Sequence, residues 1–163
     1  MTLSDLKEVS ENINMDDYLD LYTIVRENME HPNWLGTFER EDIEKILQTG
    51  GKIWLYYDND IPVCSMFYIP ASNKSLKKHN IEYDEKVTGS LGPIMVRKEY
   101  IGNGFQRAML EKLNKYVETI GKKHIFTKAH ADNIYSINNF LKDGYIVVNE
   151  YENERGKMKA FIK

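Results

Sequence analysis

The chain has 163 residues, 42% hydrophobic and 29% charged, which suits one globular domain over residues 1–163 and excludes a disordered polyelectrolyte. Its net charge of −3 argues against nucleic acid as a main partner and is compatible with a cationic substrate such as an amine. The single cysteine, Cys64, rules out an internal disulfide, and no stretch reads as a signal peptide or membrane span, so a cytoplasmic protein is expected.

Leu6 to Val9 reads as a short first strand. Asn14 is a candidate cap for a helix whose first turn carries Asp16 and Asp17 and whose apolar face is Tyr18, Tyr22, Val25 and Met29. That helix stops before Pro32. His31 to Gly36 forms a loop, Thr37 is placed to cap a second helix with the stripe Ile43, Ile46 and Leu47, and Gly50-Gly51 ends it. Lys52–Tyr57 and Ile61–Ile69 read as strands joined by Asp58-Asn59-Asp60, hence a hairpin, with Pro62 at a strand start or on an edge. Pro70 to Glu85 is polar and lysine-rich and reads as an insertion with room for one helical turn. Cys64 lies in an apolar run and reads as a buried small hydrophobe.

Lys86 to Val96 is the next strand. It leads into Ile101-Gly102-Asn103-Gly104-Phe105-Gln106 and then a helical stripe of Phe105, Ala108, Met109, Leu113, Tyr116, Val117 and Ile120. Glycines ahead of a helix start, with its unpaired N–H groups and partial positive charge, form a cradle for an anion. The loop lacks the Lys-Ser/Thr pair of a Walker loop, and Arg107 stands where the dinucleotide fingerprint needs its third glycine. Lys123 to Ala129 is a further strand. Asn133 opens a helix with the stripe Ile134, Ile137, Phe140 and Leu141, and Gly144 closes it. Tyr145–Tyr151 and Lys157–Ile162 make a last hairpin, turning at Asn153 to Gly156.

The glycine loop, with Arg107-Ala108-Met109-Leu110 after it, resembles motif A of the GCN5-related N-acetyltransferases, Q/R-x-x-G-x-G/A. Ile101 replaces the usual Gln/Arg, and Gln106 replaces a small residue. Asn133, Ser136, Gly144 and Tyr145 resemble a second family segment, with Phe140 where a tyrosine is usual. The order of elements is similar too. The resemblance implies the acyl-CoA N-acyltransferase-like fold: an α/β (α+β) chain with a mixed, mostly antiparallel central sheet flanked by helices. It also implies acetyl-CoA as acetyl donor, direct transfer to a primary amine in a ternary complex, and no metal. The cofactor would lie on Ile94, Met95 and Val96 at the strand end, on Ile101, Gly102, Asn103, Gly104, Phe105 and Gln106 in the loop, and on Asn133, Ser136 and Phe140. A bulge at Gly92-Pro93 and splayed strands there would expose main-chain groups.

Acetyl transfer needs a deprotonated amine, a stabilised oxyanion and an outlet for the thiolate. Phe140 cannot donate a proton; water, Ser136 or Asn139 are substitutes. Candidate bases are Glu82, Asp84, Glu85 and His130, or a water chain. The loop of Trp34 lies where the family shapes its acceptor pocket, and its indole could pack a cationic amine. The acceptor, a small molecule or a peptide, stays open, as does homodimerisation through the terminal hairpin's edge. The alternative is a non-catalytic acyl-CoA-binding or regulatory module on the same fold. The four histidines and Cys64 show no metal-ligand spacing.

Overall fold

The computed structural model describes all residues, 1–163. Seven strands form one sheet: β1 (Lys7–Val9), β2 (Lys52–Asp58), β3 (Ile61–Pro70), β4 (Thr88–Val96), β5 (His124–His130), β6 (Ile146–Asn153) and β7 (Gly156–Ile162), in the order β1-β2-β3-β4-β5-β7-β6. Every pairing is antiparallel except β4 with β5. No helix is long and apolar enough to cross a membrane.

Helices α1 (Met15–Glu27) and α2 (Arg40–Gln48) cover one face of the sheet's first half. Asn14 caps α1 by accepting from Asp17 N–H at 3.1 Å, and Asp16 and Asp17 sit in its first turn, where carboxylates oppose the positive end of the helix. Tyr18, Leu21 and Tyr22 bury against Ile53, Leu55, Phe67 and Met95. Thr37 does not cap α2. Phe38 turns inward onto the edge of the Phe67 ring at a centroid distance of 6.3 Å, and this apolar contact keeps the chain extended until Glu39 takes the N-cap.

On the opposite face, α4 (Phe105–Thr119) buries Phe105, Met109, Leu110, Leu113 and Val117. Its apolar surface meets Trp54, Tyr56, Met66, Leu91, Ile125 and Ala129. Ile120 falls just beyond the helix and is exposed. Helix α5 (Ile134–Lys142) adds Ile137 and Phe140 to this cluster. The stretch after β3 contains α3 (Asn73–Lys78), capped by Ser72. Its Leu76, with Ile81, lies on Phe126, Ala160 and Ile162. Thus α1, α2 and α3 share one face, and α4 and α5 share the other.

Two irregularities in β4 matter for function. Met66 pairs with Ile94 while Tyr68 pairs with Leu91, so one strand has an extra residue at Gly92-Pro93, a bulge that also uses proline's missing N–H. A Cβ on Gly92 would stand 2.6 Å from Ile69 Cδ1, so no larger residue fits without movement. In addition, β4 pairs with β5 only through Thr88, Gly89 and Ser90. Beyond them the two strands no longer pair, while β7 pairs along the opposite edge of β5, and a passage opens between the facing edges of β4 and β5.

Candidate active site

The glycine loop begins where β4 ends. A single 3-10 turn, Lys98–Tyr100, separates them. Gly102 and Gly104 have φ of +98° and +73°, the left-handed region that favours glycine. An ideal Cβ at either would meet nothing within 4 Å, so the space in front of the loop is open. None of the main-chain N–H groups of Gly102, Asn103, Gly104, Phe105, Gln106 and Arg107 has a hydrogen-bond partner in the chain. They surround the positive end of α4 and make an anion cradle.

Gln106 does not fill this cradle. Its Nε2 donates to Ser136 Oγ at 3.3 Å, and Arg107 Nη1 donates to the Asn139 carbonyl at 3.4 Å. Both contacts reach across to α5, whose start is fixed by Asn133 Oδ1 accepting from Ser136 N–H. Ile101 is exposed. Phe140 is buried, 5.4 Å between ring centroids from both Tyr145 and Phe161, and serves the core.

Main-chain groups line the passage. Arg97 N–H donates to Val63 O on the β3 side. Successive residues of a strand present their main-chain groups to opposite edges. Met95 therefore faces β3, while Ile94 and Val96 turn theirs toward the opening, where β5 no longer pairs with β4. Thr127 Oγ1 donates to Leu91 O at 3.1 Å across the head of the opening.

Four candidate bases separate into two groups. Glu82, Asp84 and Glu85 are exposed and precede β4, whereas the glycine loop follows its other end, about 25 Å away at ~3.3 Å per residue. Glu85 accepts from Asn73 N–H at 3.0 Å and Asp84 from Lys86 N–H at 2.9 Å; these carboxylates fasten the insertion. His130, at the end of β5, is buried. Its Nδ1 accepts from Asp132 N–H at 3.1 Å, and its Nε2 lies 3.4 Å from Asn33 Nδ2. Both ring nitrogens of His130 are thus engaged within the chain, and the ring packs near Trp34 at 6.3 Å.

The sequence offered no local pattern for a second cluster, on the α1/α3 face. Arg155, from the β6–β7 turn, donates through Nε to Asn33 O at 3.0 Å and through Nη2 to Trp34 O at 2.5 Å. Asn33 returns a bond to Arg155 O at 3.1 Å. Arg26 holds the same loop by donating to Pro32 O and Leu35 O. The buried Tyr22 hydroxyl is pushed up by burial, opposed by Arg26 and Arg155. Burial alone pushes the Cys64 thiol up to about 12, so it is an inert core group. No group of three His, Cys, Asp or Glu residues is placed to hold a metal ion.

This arrangement has close counterparts in shape. A ribosomal-protein-alanine N-acetyltransferase from Brucella melitensis superposes with a TM-score of 0.70 at 16% identity, over 95% of this chain and 98% of that one. The chain has the fold of the GCN5-related N-acetyltransferases. An N-acetyltransferase from Staphylococcus aureus gives a TM-score of 0.71 at 12% identity over 96% and 98% of the two chains. The Salmonella typhimurium protein yncA, solved with acetyl-CoA, gives 0.67 at 13% identity over 96% and 92%. No protein-family model matches the sequence, and no curated protein matches it. The likeness to this N-acetyltransferase fold is therefore one of architecture.

Proposed function

We propose that residues 1–163 act as one acetyl-CoA-dependent N-acetyltransferase domain that moves an acetyl group directly to a primary amine. The observation that carries this reading is the run of unpartnered N–H groups from Gly102 to Arg107 beside the opening between β4 and β5. Such a cradle suits the pyrophosphate of a CoA ester, and the neighbouring passage suits its extended arm. The Salmonella structure of the same fold contains acetyl-CoA.

In this reading the loop binds phosphate through main-chain donors, so Ile101 in place of a polar residue costs little. The N–H groups of Ile94 and Val96 are the donors available to a developing oxyanion. Ser136 and Asn139, on α5, are the hydrogen-bonding groups nearest to replace the proton donor that Phe140 cannot be. A thiol with a pKa of about 8.5 departs tolerably as an anion, so water completes the proton transfers. The amine enters from the α1/α3 face, through the same opening.

Calorimetric titration with acetyl-CoA, with ATP as control, followed by thiol release with a panel of amines, tests this. Saturable binding of acetyl-CoA but not ATP, with thiol release that requires an amine, is expected. Absence of binding would overturn the reading. Binding without turnover would instead favour an acyl-CoA-binding module, the reading to which the buried Phe140 points.

A further inference from the structure

The acceptor face carries a feature that acetyl transfer alone does not require. Phe126, Lys128 and His130 alternate onto that face of β5. Phe126 lies 5.3 Å from the His79 ring, which lies 4.6 Å from Tyr151. On the other flank His130 approaches Trp34, whose carbonyl is held by Arg155. Lys128 is exposed between these two groups. The charged side chains facing its ammonium are Arg155 and Lys78, both cationic, and the exposed carboxylate of Glu154.

None of Lys78, Lys128, Arg26 and Arg155 takes part in a salt bridge. Arg155 spends Nε and Nη2 on carbonyls and keeps Nη1 without an acceptor. The Tyr22 hydroxyl, on a side chain only 8% exposed, has no partner, and neither has that of Tyr151. Both phenols neighbour Arg155. A protein of net charge −3 thus gathers unpaired cations at one place, over buried phenols, on the strand that carries Thr127. Like charges repel one another there, and a cationic acceptor would add to the repulsion. A planar carboxylate matches the free guanidinium nitrogen and the ammonium.

We infer that the acceptor carries a carboxylate beside its amine, and that Lys128 and the free Nη1 of Arg155 hold that carboxylate while the amine reaches the passage. This rests on the transfer reading above and names its substrate class. Polyamines are excluded by it. Lys128 is a specificity residue, since it binds the part of the acceptor that does not react.

The test is thiol release by the whole protein with acetyl-CoA and matched acceptors: glycine against glycinamide, glutamate against its diamide, tripeptides beginning with Asp against those beginning with Lys, and spermidine. Carboxylate-bearing acceptors should exceed their neutral or cationic partners at least tenfold in kcat/KM. The amino acids and the acidic peptides distinguish a free substrate from a chain terminus. Lys128→Met keeps the aliphatic stem and should raise KM for the preferred acceptor at least tenfold with kcat little changed. Lys128→Glu should shift the preference toward cationic amines. Equal use of glycinamide and glycine, or an unchanged KM in a folded Lys128→Met variant, would overturn the inference while leaving acetyl transfer standing. Calorimetry of the CoA complex with the same compounds separates the two. Carboxylate binding that Lys128→Met weakens, without turnover, would keep the subsite and sink the transfer reading. No binding of any carboxylate would overturn the subsite.

Discussion

Gly104 and Gly121 bracket α4 and form a natural pair for testing the anion cradle. Their φ angles are +73° and +76°, and an added Cβ at either meets nothing within 4 Å. Alanine at each therefore carries the same backbone strain, ~1–2 kcal/mol for an L-residue in the left-handed region. For a domain of this length that corresponds to a Tm fall of about 2–8 °C. Only Gly104 faces the cradle. A methyl there holds the phosphate away from the N–H groups and removes at least one charge-assisted hydrogen bond, ~1.5–3 kcal/mol, or roughly 10- to 150-fold in affinity. Differential scanning fluorimetry and calorimetry on Gly104→Ala and Gly121→Ala should give matched losses of Tm but weakened acetyl-CoA binding for Gly104→Ala alone. Equal affinities in the two variants would refute the placement of the phosphates at this loop.

Phe140→Tyr should raise thiol release, by less than the ~10²–10⁴-fold of a full general acid, because a thiol is already a fair leaving group; a folded variant with unchanged turnover would show that thiolate departure does not limit the rate. Asn133→Ala removes the cap on Ser136 N–H and should cost ~1 kcal/mol, seen as a Tm lower by about 2–4 °C. His79 is held below its ordinary value of 6.5, first by burial and then by Lys128 and Lys78, so the fold favours its neutral form. The unfolded chain then binds more protons below that pH, and the contribution of His79, fully present above about 6.5, is lost as pH falls toward its folded pKa. Thermal melts should show Tm declining from pH 7 to pH 5, with a shallower decline in His79→Gln; an identical slope in the variant would reject His79 as the cause.

Much of the architecture was legible because its signals are local. The hairpins, the Asn14 and Asn133 caps and the helix after the glycines each depend on a few neighbouring residues. Gly92-Pro93 marked the bulge because proline cannot extend a ladder and only glycine tolerates Ile69 so close. The start of α2 was misread because Phe38 answers to Phe67, far away in sequence. The acceptor cluster was not legible for the same reason: Tyr22, Lys128, Tyr151 and Arg155 come from a helix, two strands and a turn, and only the folded sheet brings them together. The acidic residues before β4 looked close to the glycine loop in sequence order, but an extended strand separates its two ends as far as its length allows.

The order β5-β7-β6 has a consequence for how the protein comes into being. Strands β1 to β4 can pair with their neighbours as the chain is made, but β5 must wait for β7, the last strand of this sheet in chain order, to slot in beside it. Until the chain has been made through Ile162, β5 has only the three-residue seam with β4. During that interval Phe126 keeps its cover from α3 but lacks Ala160 and Ile162, and the unpaired β5 edge is the place where truncated chains would aggregate first.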